Sequence, residues 1–427
     1  MPIAPIPAHE LLVFLLQIGL LLLLAKLLGR VAAHFALPAI IGELLSGVVL
    51  GPSLFGKLSH GASNWLLPKQ AEQMHLLDGI GQVAVILLVG LTGMELDFGL
   101  IRRRLGTATR VSLAGIIVPF VPGVALGYPL AHLLGIGSAH AGVFAFFLGV
   151  AMSVSAIPVI AKTLLDMNLI HRNVGQLTLI AGMIDDAFGW FLLSIVSALA
   201  VGGVTMGKVS TALLSILFVI VAAALIGRPV VGRVLRLTAS SAEATTAAVA
   251  VMILLAGALT QSLKLEAVFG AFVCGILIGS SADFAWSRVS ALRTVVLAFL
   301  APLFFATAGL RIDLGALAKP KILVAAVLVL LTAIAGKFIG AYIGGRLSRL
   351  THWEALALGA GMNARGVIEV IVAMVGLRLG VLDTDSYTII VLVAVVTSLM
   401  APPILHLTMR KVEHTAEEDL RLEERVA

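Results

Sequence analysis

The chain has 427 residues, of which 60% are hydrophobic and only 12% are charged. Soluble domains are about 45–50% apolar and about 25% charged, so this composition excludes an ordinary soluble enzyme or binding domain. The formal net charge of +6 would suggest nucleic-acid binding in a soluble chain. Here the basic residues lie between apolar segments, where they indicate membrane topology, and we expect no nucleic-acid partner. The single cysteine, Cys274, excludes an intrachain disulfide.

Apolar stretches long enough to cross a hydrocarbon core of about 30 Å recur along the whole chain. We therefore predict an all-α polytopic membrane protein with roughly thirteen transmembrane helices. The predicted spans cover residues 10–32, 38–55, 76–97, 108–133, 140–165, 173–203, 208–232, 242–262, 265–281, 290–309, 321–346, 353–376 and 385–408.

The distribution of arginine predicts the orientation of the chain. Most arginines between the predicted spans fall on one side of the membrane, and the positive-inside rule makes that side cytoplasmic. The N-terminus is then outside and the C-terminus inside, with the bacterial inner (plasma) membrane as the expected location. The last residues, 411–427, form a short charged cytoplasmic tail, for which we expect a solvated helix or no fixed structure. The arginines on the cytoplasmic side are Arg30, Arg102, Arg103, Arg104, Arg172, Arg233, Arg236, Arg288, Arg293, Arg346, Arg349 and Arg410.

Two sequence patterns each occur twice, in the same order. "IIGELLSGVVLG" at 40–51 resembles "VFGAFVCGILIG" at 268–279, with an offset of 228 residues. "GMELDFG" at 93–99 resembles "GLRIDLG" at 309–315, with an offset of 216 residues. An odd number of predicted spans separates the copies, so the second copy enters the membrane from the opposite side. Inverted repeats are typical of secondary transporters, whose sites lie where discontinuous helices meet.

The repeat predicts that corresponding spans of the two halves are interrupted. The fifth span contains "MSVSAIPVI", in which Pro158 removes a backbone donor and disfavours helix at the preceding residue. The corresponding twelfth span contains "GAGMNARGVIE", with three glycines around Asn363. Unwound backbone is tolerated within a membrane only where it lines a cavity or is buried in protein. We therefore predict two broken helices that cross near the middle of the membrane.

Two adjacent aspartates, Asp185 and Asp186, lie in the apolar sixth span. A carboxylate at the centre of a bilayer costs about 2.5–3.5 kcal/mol on insertion scales, so each aspartate needs a partner or a function. Consecutive residues of a helix point about 100° apart, so the two carboxylates face different neighbours. Lys337, alone in the apolar eleventh span, is the expected partner of one of them. This pair is a structural tie between helices, a part of the function, or both.

The other aspartate has no evident partner and suits cation exchange. Burial and the adjacent carboxylate both disfavour its charged form, so either a proton or a metal cation can neutralise it. Small hard cations prefer oxygen ligands: the carboxylate, the hydroxyls of Ser153 and Ser155, and freed carbonyls such as that of Val154. Because proton and cation compete for the same oxygens, the sequence predicts an antiporter. We expect no cofactor, and no metal beyond the transported monovalent cation.

Four further residues are candidates to support this site. Arg365 and Glu369 are four residues apart in the twelfth span and can pair on one helical face. Glu43, inside the second span, can reach the cavity or Arg365. Asn363 belongs to the interruption of the twelfth span itself.

Several of these segments together resemble the second family of monovalent cation:proton antiporters. They are "LPAIIGELLSGVVLGPSLFG", "MSVSAIPVIAKTLLDMNLI", "MIDDAFGW", "APLFFATAGLRIDL" and "GMNARGVIE", and the resemblance covers about residues 10–408. It implies a sodium/proton antiporter-like fold and exchange of Na⁺, or of Li⁺ or K⁺, for protons by alternating access. It also implies that Asp186 binds cation and proton, that Asp185 pairs with Lys337, and that the double aspartate makes exchange electrogenic.

The resemblance further implies a homodimer in which each chain has two parts. A dimerisation part, about 10–97 and 242–309, stays fixed while an ion-carrying core, about 108–203 and 319–408, moves the ion. A linker helix at 208–236 joins them. The expected partners are therefore monovalent cations, protons, the lipid bilayer and a second copy of the chain, and the protein is not expected to be an enzyme.

Two positions depart from the family pattern. Met152 stands where sodium-selective relatives often have threonine, so a different set of cation ligands is expected. The nearest alternative within the family is a K⁺/H⁺ exchanger, which the sequence does not distinguish from a Na⁺/H⁺ exchanger. Ala181 stands where related antiporters often have an acid that pairs with the arginine of the twelfth span. Arg365 is therefore expected to pair with Glu369 or Glu43.

Two alternatives come from other functional classes. A sodium-coupled organic-anion symporter would not need a buried lysine, so Lys337 argues against it. An intramembrane aspartyl protease needs two carboxylates that share a water, which adjacent residues of one helix cannot do.

Overall fold

A computed structural model of the chain describes residues 6–35, 37–68, 71–96, 105–200, 206–415 and 418. The regular structure of these residues is helical, and no strand occurs among them. Ten helical stretches of the described residues are long and apolar enough to cross a membrane, or eleven if one bent pair counts as a single span; three of the ten, Ala39–Leu58, Leu213–Thr238 and Trp286–Ala318, join consecutive helices. The predicted class, an all-α polytopic membrane protein, is confirmed.

The α-helices are numbered here in chain order. They are α1 Ala8–His34, α2 Ala39–Leu50, α3 Phe55–Leu58, α4 His60–Leu66, α5 Ala71–Met94, α6 Leu105–Leu134, α7 Ser138–Ser153, α8 Ile157–Asp166, α9 Asn173–Ala200, α10 Met206–Ala222, α11 Arg228–Thr238, α12 Ala242–Ser262, α13 Ala267–Gly279, α14 Ser290–Val295, α15 Ala301–Gly309, α16 Pro320–Leu347, α17 His352–Met362, α18 Val367–Arg378 and α19 Thr384–Met409. Short π-helical turns join α10 to α11 and α14 to α15.

The predicted count of roughly thirteen spans differs from this number for a simple reason. The fifth predicted span is divided between α7 and α8, and the ninth corresponds to the short helix α13. Their apolar helices are only 10–17 residues long, whereas a straight crossing needs about 20 residues. The twelfth predicted span is the bent pair α17 and α18, with an angle of 45° at the break.

The chain forms two compact units. The first comprises Met1–Glu95, Ile220–Gln261 and Gly270–Gly315, and the second comprises Leu96–Val219, Ser262–Phe269 and Ala316–Ala427. The sequence assigned similar stretches to a dimerisation part and an ion-carrying part, but those roles remain predictions.

In the first unit, the repeated glycines have repeated partners. A Cβ built on Gly42 of α2 would collide with the carbonyl oxygen of Leu28 in α1. A Cβ built on the aligned Gly270 of α13 would collide with the carbonyl oxygen of Ala256 in α12. Leu28 and Ala256 are related by the same offset of 228 residues as the two glycines. Small residues let helix backbones approach closely, so the repeat conserves one packing contact in both copies.

The offset of the second pattern also recurs in the packing of the first unit. Gly47 of α2 lies against the carbonyl oxygen of Ala306 in α15, and the aligned Gly275 of α13 lies against that of Gly90 in α5. Gly90 and Ala306 are 216 residues apart, the offset of the second pattern. Residues 97–99 of that pattern lie outside the described residues.

In the second unit, α6 and α16 pack through a stripe of small residues. At three positions of α16, spaced four residues apart, a Cβ would collide with the backbone of α6. Close backbone approach of this kind replaces the hydrophobic driving force that is absent in lipid. It sets α16, and the lysine within it, directly beside α6. The glycines are Gly336, Gly340 and Gly344, and they face Pro119, Ala114 and Val111.

Residues 412–415 and 418, near the end of the chain, contact Arg172 and the start of α9 in the second unit. Arg172 is 4% exposed; its guanidinium donates to the carbonyls of Val412 and Glu413 at 3.0 Å and contacts His414 Nε2 at 2.9 Å. Glu418 contacts Arg172 Nε at 3.2 Å and accepts the backbone N–H of Asn173, at the start of α9, at 2.6 Å. A buried arginine and a helix N-terminus thus bind Val412 and Glu418, which are buried, while residues 413–415 between them are exposed. Residues 416–417 and 419–427, and Arg102, Arg103 and Arg104, lie outside the described residues.

Candidate functional site

Two interrupted helices lie at the centre of the second unit. α7 ends at Ser153, the backbone of Val154 and Ala156 is extended, and α8 begins at Ile157. Pro158 lies in the first turn of α8, where its missing N–H leaves no helical hydrogen bond unmade. The other interruption, residues 363–366, separates α17 from α18. Both spans are interrupted at the segments that the sequence indicated.

The two interruptions are joined by hydrogen bonds. The backbone N–H of Ala156 donates to the carbonyl of Ala364 at 3.1 Å. The hydroxyl of Ser155 lies 2.8 Å from the carbonyl oxygen of Met362. These bonds satisfy backbone groups that would otherwise be unpaired at membrane depth. The meeting point is therefore a fixed arrangement of unwound backbone inside the unit.

Arg365, in the second interruption, binds backbone carbonyls at the end of α7. Its guanidinium donates to the carbonyls of Ala151 at 2.9 Å, Met152 at 2.5 Å and Ala333 at 3.1 Å, and to Glu369 at 3.3 Å. Ala151 and Met152 belong to the last turn of α7, where unpaired carbonyls carry partial negative charge. A fully buried guanidinium thus stabilises the end of the broken helix. Of the two carboxylate partners left open by the sequence, Glu369 is the one that binds Arg365.

Lys337 of α16 binds Asp185 of α9. The ammonium lies 2.5 Å from Asp185 Oδ2, and both side chains are inaccessible to solvent. The ammonium also donates to the carbonyls of Ser153 at 2.5 Å and Gly115 at 3.0 Å, so all three of its protons have acceptors. Asp185 is therefore the aspartate that Lys337 neutralises.

Two serines complete the surroundings of Asp185. Ser112 of α6 donates to Oδ1 at 2.6 Å, and the Ser155 hydroxyl lies 2.9 Å from Oδ2. The sequence analysis named Ser155 but not Ser112. Ser112 lies 73 residues before Asp185, in a span with other polar residues, so no local pattern distinguished it.

Asp186 is buried without such partners. Its side chain is inaccessible to solvent, and among the described residues no donor makes a hydrogen bond to either carboxylate oxygen. The backbone N–H of Ile157, at the start of α8, interacts with this carboxylate without reaching hydrogen-bond geometry. The amide of Asn363 is also fully buried, and in the described part of the chain neither of its polar atoms has a partner. Buried polar groups are nearly always paired, so these two side chains stand out as places for a ligand.

The other predicted site residues have different positions. Ser153 presents its carbonyl to Lys337, while its hydroxyl donates within α7, to Gly149 at 2.7 Å. Val154 is buried in the extended segment, and its side chain faces Gly189 of α9. Glu43 belongs to the first unit, on α2.

The ionisable groups at the interruptions do not balance in charge. They are three acids and two bases, namely Asp185, Asp186 and Glu369 with Lys337 and Arg365. When all are ionised, the cluster carries one excess negative charge, and Asp186 is the acid without a basic partner. A charge without a partner is strongly disfavoured in such a place, so the arrangement favours uptake of one positive charge at Asp186.

Comparison with known proteins agrees with this chemistry. The sequence model of the family described as "Sodium/hydrogen exchanger, transmembrane" matches residues 19–411. The Na⁺/H⁺ antiporter NhaS4 of Synechocystis is 34% identical over 402 residues, covering 93% of this chain and 97% of that protein. The K⁺/H⁺ antiporter 1 of Saccharomyces cerevisiae is 27% identical over 92% of this chain, which spans 46% of that longer protein.

The fold is also that of a solved antiporter structure. The sodium proton antiporter MjNhaP1 from Methanocaldococcus jannaschii superposes with a TM-score of 0.63 at 16% identity, covering 94% of this chain and 99% of the other. The chain belongs to the sodium/hydrogen exchanger family, a family of integral membrane antiporters that exchange monovalent cations for protons.

Proposed function

We propose that Asp186 is the carboxylate at which this chain exchanges a monovalent cation for a proton. The observation that carries the proposal is the burial of Asp186 without a hydrogen bond or salt bridge among the described residues, beside the start of α8 at the first interruption. A proton and a cation each neutralise this carboxylate, and they cannot occupy the same oxygens together. If the site changes sides only when it is loaded, competition at one carboxylate is enough to couple the two fluxes.

The cation ligands in this proposal are oxygen atoms of the second unit. Asp186 supplies carboxylate oxygens, and the extended segment at Val154 supplies backbone carbonyls, as small hard cations prefer. The hydroxyl of Ser155 lies within hydrogen-bond distance of Asp185 and of the Met362 carbonyl, and these contacts hold the extended segment in place. Glu369 is assigned the structural role of balancing Arg365.

We further propose that exchange is electrogenic, with Na⁺ as the main cation. The Lys337 ammonium, which binds Asp185, carries a further proton near Asp186, so the site can release more positive charge as protons than it gains from one cation. A K⁺/H⁺ exchanger is the second candidate. It is favoured by the similarity to the yeast K⁺/H⁺ antiporter 1.

The oligomeric state and the membrane location of the chain are also proposals. We infer a homodimer in a bacterial inner (plasma) membrane, with the N-terminus outside and the C-terminus inside. The arginine distribution supports this orientation. The boundaries of the two compact units support a division into a dimerisation part and an ion-carrying part.

The test is exchange in proteoliposomes with an imposed pH gradient and a trapped pH dye. Na⁺, Li⁺ and K⁺ are added separately, with the membrane potential either clamped or free. We expect cation-dependent proton movement in the wild type, sensitivity to the clamp, and no exchange in Asp186→Asn. Asp283→Asn is the matched control, because Asp283 is a partly exposed carboxylate paired with Arg236 at 3.6 Å. Exchange that persists in Asp186→Asn, or a wild type inactive with all three cations, would overturn the proposal.

A further inference from the structure

The Asp185 carboxylate has an unequal set of hydrogen-bond donors. Oδ2 faces two of them, Lys337 and Ser155, whereas Oδ1 receives one bond, from Ser112 at 2.6 Å. The side chains of Ser112 and Asp185 are both buried. Hydrogen bonds to an ionised group are stronger than those between neutral groups, so the Ser112 bond is a substantial constraint on this carboxylate.

Of the two serines near Asp185, Ser112 is the one whose hydroxyl has no competing acceptor among the described residues. The Ser155 hydroxyl lies within hydrogen-bond distance of both Asp185 Oδ2 and the Met362 carbonyl, but one hydroxyl proton serves one acceptor at a time. In the described residues, the hydroxyl of Ser112 has Asp185 as its one acceptor. Ser112 therefore fixes the rotation of the carboxylate when Ser155 turns to the interrupted helix.

The same face of α6 also holds the lysine. Gly115, one helical turn after Ser112, accepts a hydrogen bond from the Lys337 ammonium at 3.0 Å. α6 thus binds the acid of the pair through a side chain and the base through a carbonyl. Lys337 also interacts electrostatically with Asp186, so its ammonium has two carboxylates available. The orientation of the Asp185 carboxylate therefore bears on which of the two carboxylates the ammonium binds.

We propose that Ser112 is a positioning residue for cation binding: its hydroxyl orients Asp185 towards Lys337, which keeps the lysine away from Asp186 and leaves Asp186 free for the cation. This inference rests on the proposed exchange at Asp186. Without the Ser112 bond, the Asp185 carboxylate rotates and the ammonium is shared with Asp186. The ammonium then competes with the transported cation, which weakens cation binding and leaves the later transport steps unchanged.

The experiment compares Na⁺ dependence of exchange in proteoliposomes for wild type, Ser112→Ala and Ser112→Thr. Loss of one charge-assisted hydrogen bond predicts that KM for Na⁺ rises about tenfold in Ser112→Ala, while the maximal rate changes less than about twofold. Ser112→Thr keeps the hydroxyl and is expected to restore KM to near the wild-type value. Ser194→Ala is the matched control, because Ser194 is a buried serine of α9 whose hydroxyl donates to the carbonyl of Trp190 in its own helix, at 3.0 Å.

A double-mutant cycle separates positioning from general damage. Because Ser112 acts through Asp185, Ser112→Ala is expected to add no further change in KM when Asp185 is already asparagine. A KM in Ser112→Ala equal to the wild type, failure of Ser112→Thr to restore it, or an equal effect in the Asp185→Asn background would overturn the inference. These outcomes differ from failure of the proposed function, in which the wild type itself shows no exchange.

Discussion

At the scale of single residues, the chain buries five ionisable side chains around two helix breaks and leaves one acid unpaired. Lys337 and Arg365 each use their donors on backbone carbonyls as well as on a carboxylate. This matters because a buried ion pair alone rarely recovers the free energy lost on desolvation. The additional carbonyl bonds stabilise both pairs. Asp186 is the remaining acid, without a salt bridge among the described residues, and the proposed function assigns its neutralisation to the transported ion.

Replacing one member of the Lys337–Asp185 pair is expected to destabilise the protein more than replacing both. Lys337→Gln leaves the Asp185 carboxylate buried beside Asp186 without a counter-charge, and breaking a buried pair in this way costs about 3–5 kcal/mol. The double variant Asp185→Asn with Lys337→Gln removes both charges. Thermal unfolding in detergent should therefore rank wild type above the double variant and the double variant above Lys337→Gln. A double variant no more stable than the single one would show that the pair is not coupled.

The prediction of the pair from sequence succeeded because each member is conspicuous alone. A lone lysine and two aspartates in apolar spans have few partners available. Ser112 was missed because serine is common in spans and its contact with Asp185 depends on how two distant helices rotate. Ser153 was expected to offer its hydroxyl, but helix α7 continues to that residue and its hydroxyl bonds the preceding turn. Such details depend on tertiary packing and leave no local trace in the sequence.

At the scale of elements, small residues decide where the site's helices lie. The stripe of glycines on α16 brings its backbone against α6, so that Lys337, next to Gly336, reaches the Gly115 carbonyl. The interruptions themselves could be predicted, because proline and clustered glycines act locally. The hydrogen-bond partners of the interrupted backbone could not be predicted, since the bond between Ala156 and Ala364 joins residues more than 200 positions apart.

Gly340→Val is expected to separate α6 from α16 and displace Lys337. A Cβ at Gly340 already collides with the Ala114 carbonyl, and a branched side chain increases the overlap. We expect a lower unfolding temperature and loss of exchange, as overpacking of well-packed sites costs about 1–3 kcal/mol or more. Gly232→Val is the control, because a Cβ at Gly232 of α11 meets no atom within 4 Å. Equal behaviour of the two variants would contradict the packing argument.

At the scale of the whole molecule, the internal repeat and the C-terminal segment organise different units. The repeat was legible in sequence because glycine positions are fixed by close backbone contacts, and the first unit preserves those contacts in both copies. The contacts of the C-terminal segment could not be predicted from the sequence, because its charged composition is also that of a solvated tail. The partner of this segment, Arg172, stands at the start of the helix that carries both aspartates.

Glu418 is expected to stabilise the second unit in a pH-dependent way. Burial raises the pKa of Glu418, but the backbone N–H groups of Asn173 and Thr415 and the Arg172 guanidinium together lower it below its usual value. A lowered folded pKa means that the stabilisation is present above the ordinary glutamate pKa of about 4.3 and is lost as pH falls through the folded value.

Glu418→Gln should therefore unfold at a lower temperature than wild type at neutral pH, and the difference should shrink in acid. The measurement is thermal unfolding of detergent-purified protein from neutral pH down to about pH 3, because the stabilisation is lost only below the ordinary glutamate pKa. Glu413→Gln is the control in the same segment, because Glu413 is exposed and contacts Arg172 through its backbone carbonyl. A difference that stays constant with pH would contradict the assignment.

The most direct test of the central claim is proton release on cation binding by the purified protein in weakly buffered detergent solution. If proton and cation compete for Asp186, adding Na⁺ to the wild type near the pH of half-maximal exchange releases protons in proportion to bound cation. Asp186→Asn should release none, and Asp283→Asn should behave as the wild type. Undiminished proton release from Asp186→Asn would contradict the claim that this carboxylate carries the exchange.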